Sequence, residues 1–129
     1  MILGMLNDAQ FGPVVAIGIG GIHAEAIADV AFALPPFDAQ SARRVVSKLK
    51  YKNLLDGHRG TEAVNVDAFC TMASHFSELS AIMANAIDEI DINPVLVTAG
   101  DCVCLDALVV AKRDQDYYRR SDSSESAIT

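Results

Sequence analysis

With 129 residues, 51% of them hydrophobic, and a mean hydropathy of +0.26, the chain can bury one core, which sets the expectation of a single domain. No apolar run approaches the roughly 18 residues of a membrane span, and Met1-Ile2-Leu3-Gly4-Met5-Leu6 lacks the basic start of a signal peptide. A formal net charge of −7 repels nucleic acid and anionic lipid, which excludes both as partners.

Residues 1–6 and 13–19 are apolar, with Asn7-Asp8 and Gly12-Pro13 as turn residues between them, and read as an antiparallel pair. Gly18-Ile19-Gly20-Gly21 is either a tight turn between strands or a backbone cradle for phosphate. It lacks the Lys-Ser/Thr of a P-loop. Residues 26–34 read as a third strand ended by Pro35-Pro36. Asp38 is a fit N-cap, and Ala42, Val45, Val46 and Leu49 form one face of a helix reaching about residue 50. Lys48, Lys50 and Lys52 gather at its end, where cations complement the helix dipole. Arg59, within Gly57-His58-Arg59-Gly60, is either an exposed loop cation or a bidentate contact for phosphate or carboxylate. His58 and His23 have no evident acid partner, and neither is assigned as a phosphoryl carrier. Asn65 caps a second helix with Asp67 in its first turn, and Phe69, Met72, Ala73, Phe76, Leu79, Ile82, Met83 and Ala86 continue an apolar stripe expected to be core. His75 falls at its polar edge, and both Met residues read as packing elements.

Two runs, Glu89 to Val97 and Cys102 to Ala107, flank Ala99-Gly100 and read as a β-hairpin. A turn centred there sets Asn93 opposite Asp106, with Asp91 on the same face. Asn and Asp in a strand commonly form just its solvent-facing side. Here Val95, Val97, Cys102, Cys104 and Leu108 are expected on that face too, and acids among apolar groups need a partner. A carboxylate and a carboxamide oxygen side by side suit Mg²⁺. Pro94 removes a ladder donor, and a one-residue bulge there would separate Asn93 from Asp106. Three cysteines cannot all pair within the chain. Buried free thiols in a reducing, cytoplasmic compartment are expected, and the CxC spacing lacks that of structural zinc. Residues 112–129 mix both charges with serine and read as a solvated tail or linker after a domain over residues 1–111. The fold class expected is α+β in two layers, an antiparallel-rich sheet packed against two main helices.

Asp91-Ile92-Asn93-Pro94, followed by Cys104-Leu105-Asp106-Ala107, resembles the end of the ATP-grasp domain in NDP-forming acyl-CoA synthetases, the group of ADP-forming acetate:CoA ligases and succinyl-CoA synthetase β-subunits. Gln10-Phe11-Gly12-Pro13-Val14-Val15, Gly18-Ile19-Gly20-Gly21-Ile22 with Glu25, Asp29-Val30-Ala31-Phe32, Leu34-Pro35-Pro36 and Leu54-Leu55-Asp56-Gly57-His58-Arg59-Gly60 extend the likeness in the same order. The resemblance implies the C-terminal ATP-grasp lobe and the reaction acid + CoA + NTP = acyl-CoA + NDP + phosphate, with the phosphoryl group carried on a histidine of a CoA-binding partner domain or subunit. It implies Asn93 and Asp106 as Mg²⁺ ligands and Asp91 near the phosphohistidine, and it puts Gly20, Gly21 and Glu25 near the nucleotide, ATP/ADP or GTP/GDP; Arg59 joins Asp91 as a catalytic candidate on the chemistry of its own side chain. Asn7, Ala9 and His23 replace the Arg, the Pro and the aromatic or aliphatic residue usual at those places, and Met1 falls just after the place of a nucleotide-holding Glu. The expectation is therefore a fragment, a split subunit or a truncated product that lacks the first ATP-grasp lobe and is inactive alone. Its exposed face is expected to drive homo-oligomers. The alternative is a non-catalytic module docking a CoA-binding or acyltransferase partner.

Overall fold

The computed structural model describes residues 1–20, 29–57, 60 and 62–113. In strand β1 (Ile2–Asp8), Leu3 and Met5 are buried while Leu6 stands open, so the strand has one inner and one outer face. β2 (Gly12–Ile19) pairs antiparallel with it, Val15 and Ile17 facing inward. The connecting turn is held by the Asp8 carboxylate, which accepts from the backbone N–H groups of Gln10 and Phe11 at 2.8 and 3.0 Å. Gly12 adopts φ 72°, a region that favours glycine. β3 (Asp29–Ala33) pairs with β2, and β4 (Ile87–Ile92) with β1. β7 (Ala107–Ala111) completes an antiparallel sheet in the order β3-β2-β1-β4-β7. β5 (Val95–Val97) and β6 (Cys102–Cys104) form a second, two-stranded ribbon beyond it.

Two helices cover the inner face. The Asp38 side chain accepts from the Ser41 N–H and opens α1 (Ala39–Val46), while Asn65 accepts from Ala68 and opens α2 (Val66–Met83). Leu3, Met5, Val15 and Ile17 from the sheet meet Val45, Val46, Phe69 and Phe76 from the helices in a single core. An α+β fold of two helices on an antiparallel sheet is thus what forms.

Several boundaries differ from those expected. α1 stops at Val46 instead of near residue 50, and tight turn bonds from Lys48 and Leu49 back to Val45 and Val46 still carry Leu49 into the core. A 3-10 turn over Lys52–Asp56 follows, which no helical periodicity had marked. The Lys52 ammonium does reach the end of α1, donating to the Ser47 carbonyl at 3.0 Å. The buried face of α2 is rotated from the expected stripe. Leu79 and Ile82 are exposed, Ala86 lies past the helix, and Cys70, Ser77 and Ser80 are buried instead. The serines tolerate burial because their hydroxyls donate to carbonyls, Ser77 to Phe37 and Ser74, Ser80 to Phe76, while Ser77 also accepts from the Phe37 N–H. Each long strand of the expected hairpin is broken in two, at Asn93-Pro94 and at Leu105-Asp106. The first part of the expected third strand, residues 26–28, and the tail beyond Arg113 lie outside the described residues.

Candidate functional site

The outer end of the sheet is built where β4 passes into β5. Along β1, Leu3 and Met1 are two positions apart, yet their partners Ile92 and Val95 are three apart, with Met1 and Val95 exchanging backbone bonds of 2.7 and 2.9 Å. One extra residue is therefore accommodated at Asn93-Pro94, the bulge that was one of the two places, edge or bulge, open to Pro94. It does not part Asn93 from Asp106, because β6 and β7 carry a matching extra residue. The Asn93 N–H donates to the Asp106 carbonyl at 3.1 Å, the Leu105 N–H donates to the Pro94 carbonyl at 3.0 Å, and Val95 still pairs with Cys104.

The extra residue flips the side-chain alternation. Ile90 and Val95 both point into the core, while Asp91 lines the outer face and Asn93 is exposed. Val95, Val97, Cys102 and Cys104 were expected to share a face with Asp91, Asn93 and Asp106, and they do not. Val95 is buried, Val97 and Cys102 pack against the core, and the Cys102 and Cys104 thiols turn toward Met72 on α2. Leu108, opposite Asp91, remains on the outer side at 60% exposure. Asp91 thus lines the open face of the sheet, and Asn93 and Asp106 are exposed where the sheet passes into the ribbon. Expected burial of all three thiols also fails. Cys70 is buried, which pushes its thiol pKa up, whereas Cys102 is half-buried and Cys104 exposed. Burial, and then the neighbouring Cys104 and Asp101, raise the Cys102 pKa as well.

Gly20 follows β2 directly against this corner. A Cβ there would stand 2.6 Å from Ile2 Cγ2 and 3.6 Å from Asn93 Oδ1, and a Cβ at Gly18 would stand 2.9 Å from Ile2 Cγ1. Close approach accounts for both glycines, and it brings the end of β2 beside the Asn93 carboxamide oxygen. Asn93 and Asp106 offer one carboxamide and one carboxylate side chain, both exposed. Mg²⁺ characteristically takes one or two such oxygens and fills its remaining positions with water and phosphate, so the donor set fits that ion. Gly21, Glu25, Arg59, His23 and His58 lie outside the described residues.

Asp91 borders an open groove of about 580 Å³ along the outer face, lined among others by Leu6, Phe11, Val14, Phe32 and Leu34. Two residues named above only as a turn residue that departs from the family pattern and as part of a motif, Asn7 and Asp29, support the site. The Asn7 carboxamide donates to the Ala84 and Ile87 carbonyls at 2.9 and 2.6 Å, which holds the connection from α2 into β4. The Asp29 carboxylate is buried and accepts from the Lys50 and Tyr51 N–H groups, both at 2.8 Å, tying β3 to the end of α1. In sequence Asp29 lies inside the strand expected over residues 26–34, and nothing local to it marks its carboxylate as the tie between β3 and the backbone after α1.

Residues 1–111 match the family described as an ATP-grasp domain. The chain is 36% identical over 110 residues to the β subunit of an ADP-forming acetate–CoA ligase I of Pyrococcus furiosus, covering 85% of this chain and 47% of that one. It is 41% identical over 117 residues to a trans-feruloyl-CoA synthase from an unknown prokaryotic organism, covering 88% of this chain and 16% of that one. Among solved structures, an acetyl-coenzyme A synthetase 1 of Ca. Korarchaeum cryptofilum, bound to coenzyme A and Mg-AMPPCP with its phosphohistidine segment pointing towards the nucleotide site, superposes with a TM-score of 0.80 at 32% identity, covering 86% of this chain and 52% of that one. The chain therefore spans about half the length of the acetate–CoA ligase subunit and far less of the feruloyl enzyme.

Proposed function

The chain belongs to the ATP-grasp domain family, and from that premise we propose that it supplies the magnesium-nucleotide side of an NDP-forming acyl-CoA synthetase. The reaction would be acid + CoA + NTP = acyl-CoA + NDP + phosphate, completed by a first ATP-grasp lobe and by a CoA-binding domain or subunit bearing the phosphohistidine. The observation that carries this reading is the preserved backbone pairing of Asn93 with Asp106 across a bulged ribbon, with the Asn93 carboxamide beside Gly20.

In this reading Asn93 and Asp106 hold Mg²⁺, whose charge, when bound, offsets that of the nucleotide phosphates. Asn93 contributes its amide oxygen and Asp106 its carboxylate, with the ladder bond between their backbones keeping the two strands in register. Gly20, lacking a side chain, leaves the backbone at the end of β2 open to a phosphate. Asp91 would stand beside the incoming phosphohistidine. Gly21 and Glu25 are proposed at the nucleotide, ATP/ADP or GTP/GDP, and Arg59 at a phosphate. Among the described residues no helix is long and apolar enough to cross a membrane, and we place the protein in the cytoplasm.

Exposed apolar side chains on the outer face favour a second reading, a module that docks a CoA-binding or acyltransferase partner without catalysis. Phe11 and Phe32 are 67% and 68% exposed there. Calorimetry of Mg²⁺-dependent ADP binding, with the full chain alone and mixed with a separately produced first lobe, distinguishes the two. Binding that appears on mixing and disappears in both Asn93→Ala and Asp106→Ala is the expected result. Absence of binding under both conditions sinks the nucleotide reading and leaves the docking module.

A further inference from the structure

We propose that Cys102, Cys104 and Met72 form a three-sulfur site for a soft monovalent cation of the Cu(I) class, set between β6 and α2. The Cys102 and Cys104 thiols lie 3.7 and 3.6 Å from the Met72 thioether sulfur. Residues two apart on a strand project to one side, so β6 presents both thiols together. Met72, from the helix layer, meets both. A trigonal ion with metal–sulfur bonds of about 2.3 Å, the length found in zinc thiolates, spaces its sulfurs about 4 Å apart. The separations here are slightly shorter, and small side-chain rotations open them to that value. This cluster is on the side of the ribbon that faces α2, where Met72 and Cys102 pack against the core.

The ligand type selects the ion. Counting only His, Cys, Asp and Glu, the described residues gather no group of three, and it is the thioether that completes the set. Zinc is bound by thiolate, imidazole and carboxylate, whereas thiolate combined with thioether favours Cu(I). Met72 and Cys102 are half-buried and Cys104 is exposed, so an ion enters from solvent. On binding, two S–H bonds break and two sulfur–copper bonds form. Both protons pass to water, the thioether adds a lone pair, and no atom changes oxidation state. Occupancy would tie the ribbon that leads into Asp106 to α2.

Anaerobic titration of the reduced, metal-free full chain with Cu(I), in competition with a chromogenic Cu(I) chelator, tests the site. One equivalent is expected to be withheld from the chelator, with copper-edge X-ray absorption reporting a three-sulfur shell. Met72→Leu, which conserves volume, is expected to weaken retention at least tenfold. Cys104→Ser should abolish it, and Cys70→Ala should leave it unchanged. Chelator stripping of the unaltered chain as complete as that of Cys104→Ser overturns the proposal, as does full retention by Met72→Leu or preferential uptake of Zn(II). The absorption spectrum of the unaltered chain decides the ligand set even if a variant fails to fold.

Discussion

Asn7 shows how much one side chain can hold. Its amide donates to two carbonyls, those of Ala84 just past α2 and Ile87 at the start of β4. Asn7→Ala strands both, and a lost donor to a partly buried carbonyl costs about 1–3 kcal/mol. Urea denaturation should show that loss, and an unchanged midpoint would assign the connection to other contacts. Asp38 carries a pH dependence. The Ser41 N–H bonded to its carboxylate holds its pKa below the ordinary 3.8. A depressed folded pKa gives stability that is complete above the unfolded value and fades as the pH falls through the folded one. Asp38→Asn, which caps without titrating, is expected to flatten this part of the acid limb in thermal melts taken at stepped acidic pH.

At the level of the element, α2 turns a polar-looking edge inward. Ser77 is buried with its oxygen accepting from Phe37 and its hydroxyl donating back, so the helix is pinned to the segment entering α1. Ser77→Ala leaves the Phe37 N–H without its acceptor and is expected to cost about 1–3 kcal/mol. Leu79→Ser and Ile82→Ser alter exposed positions and should stay within about 0.5 kcal/mol of the unaltered chain. Chemical denaturation of the three variants checks the order, and a larger loss at Leu79 or Ile82 would restore the stripe inferred from periodicity. The ribbon of β4 to β7 teaches a related point. A doubled bulge keeps the cross-strand partners but reverses which residues look outward. Register was legible from the turn at Ala99-Gly100, and facing was not, because Pro94 announces a bulge without saying how many strands share it.

Across the whole molecule, both helices lie on one face of the sheet, and the other face keeps Leu6, Phe11, Phe32 and Leu34 exposed. An apolar surface of that extent seeks a cover. With the chain alone, association with a second copy is expected, as a sedimentation coefficient that rises with concentration. Phe11→Ser combined with Phe32→Ser should lower that association. A concentration-independent monomer would show that the face stays solvated until a different partner meets it.

The order of elements, both helix caps, the hairpin register and the family motifs could all be read in the linear chain, because each rests on neighbours in sequence or on a turn that sets pairing by counting. The inward face of α2, the roles of Asn7 and Asp29, and the meeting of Met72 with two thiols depend on groups 21 to 80 positions apart. Packing of one layer on another decided those. A buried hydroxyl or carboxylate is stable only where a distant backbone group supplies its hydrogen bond, and no local pattern encodes that partner.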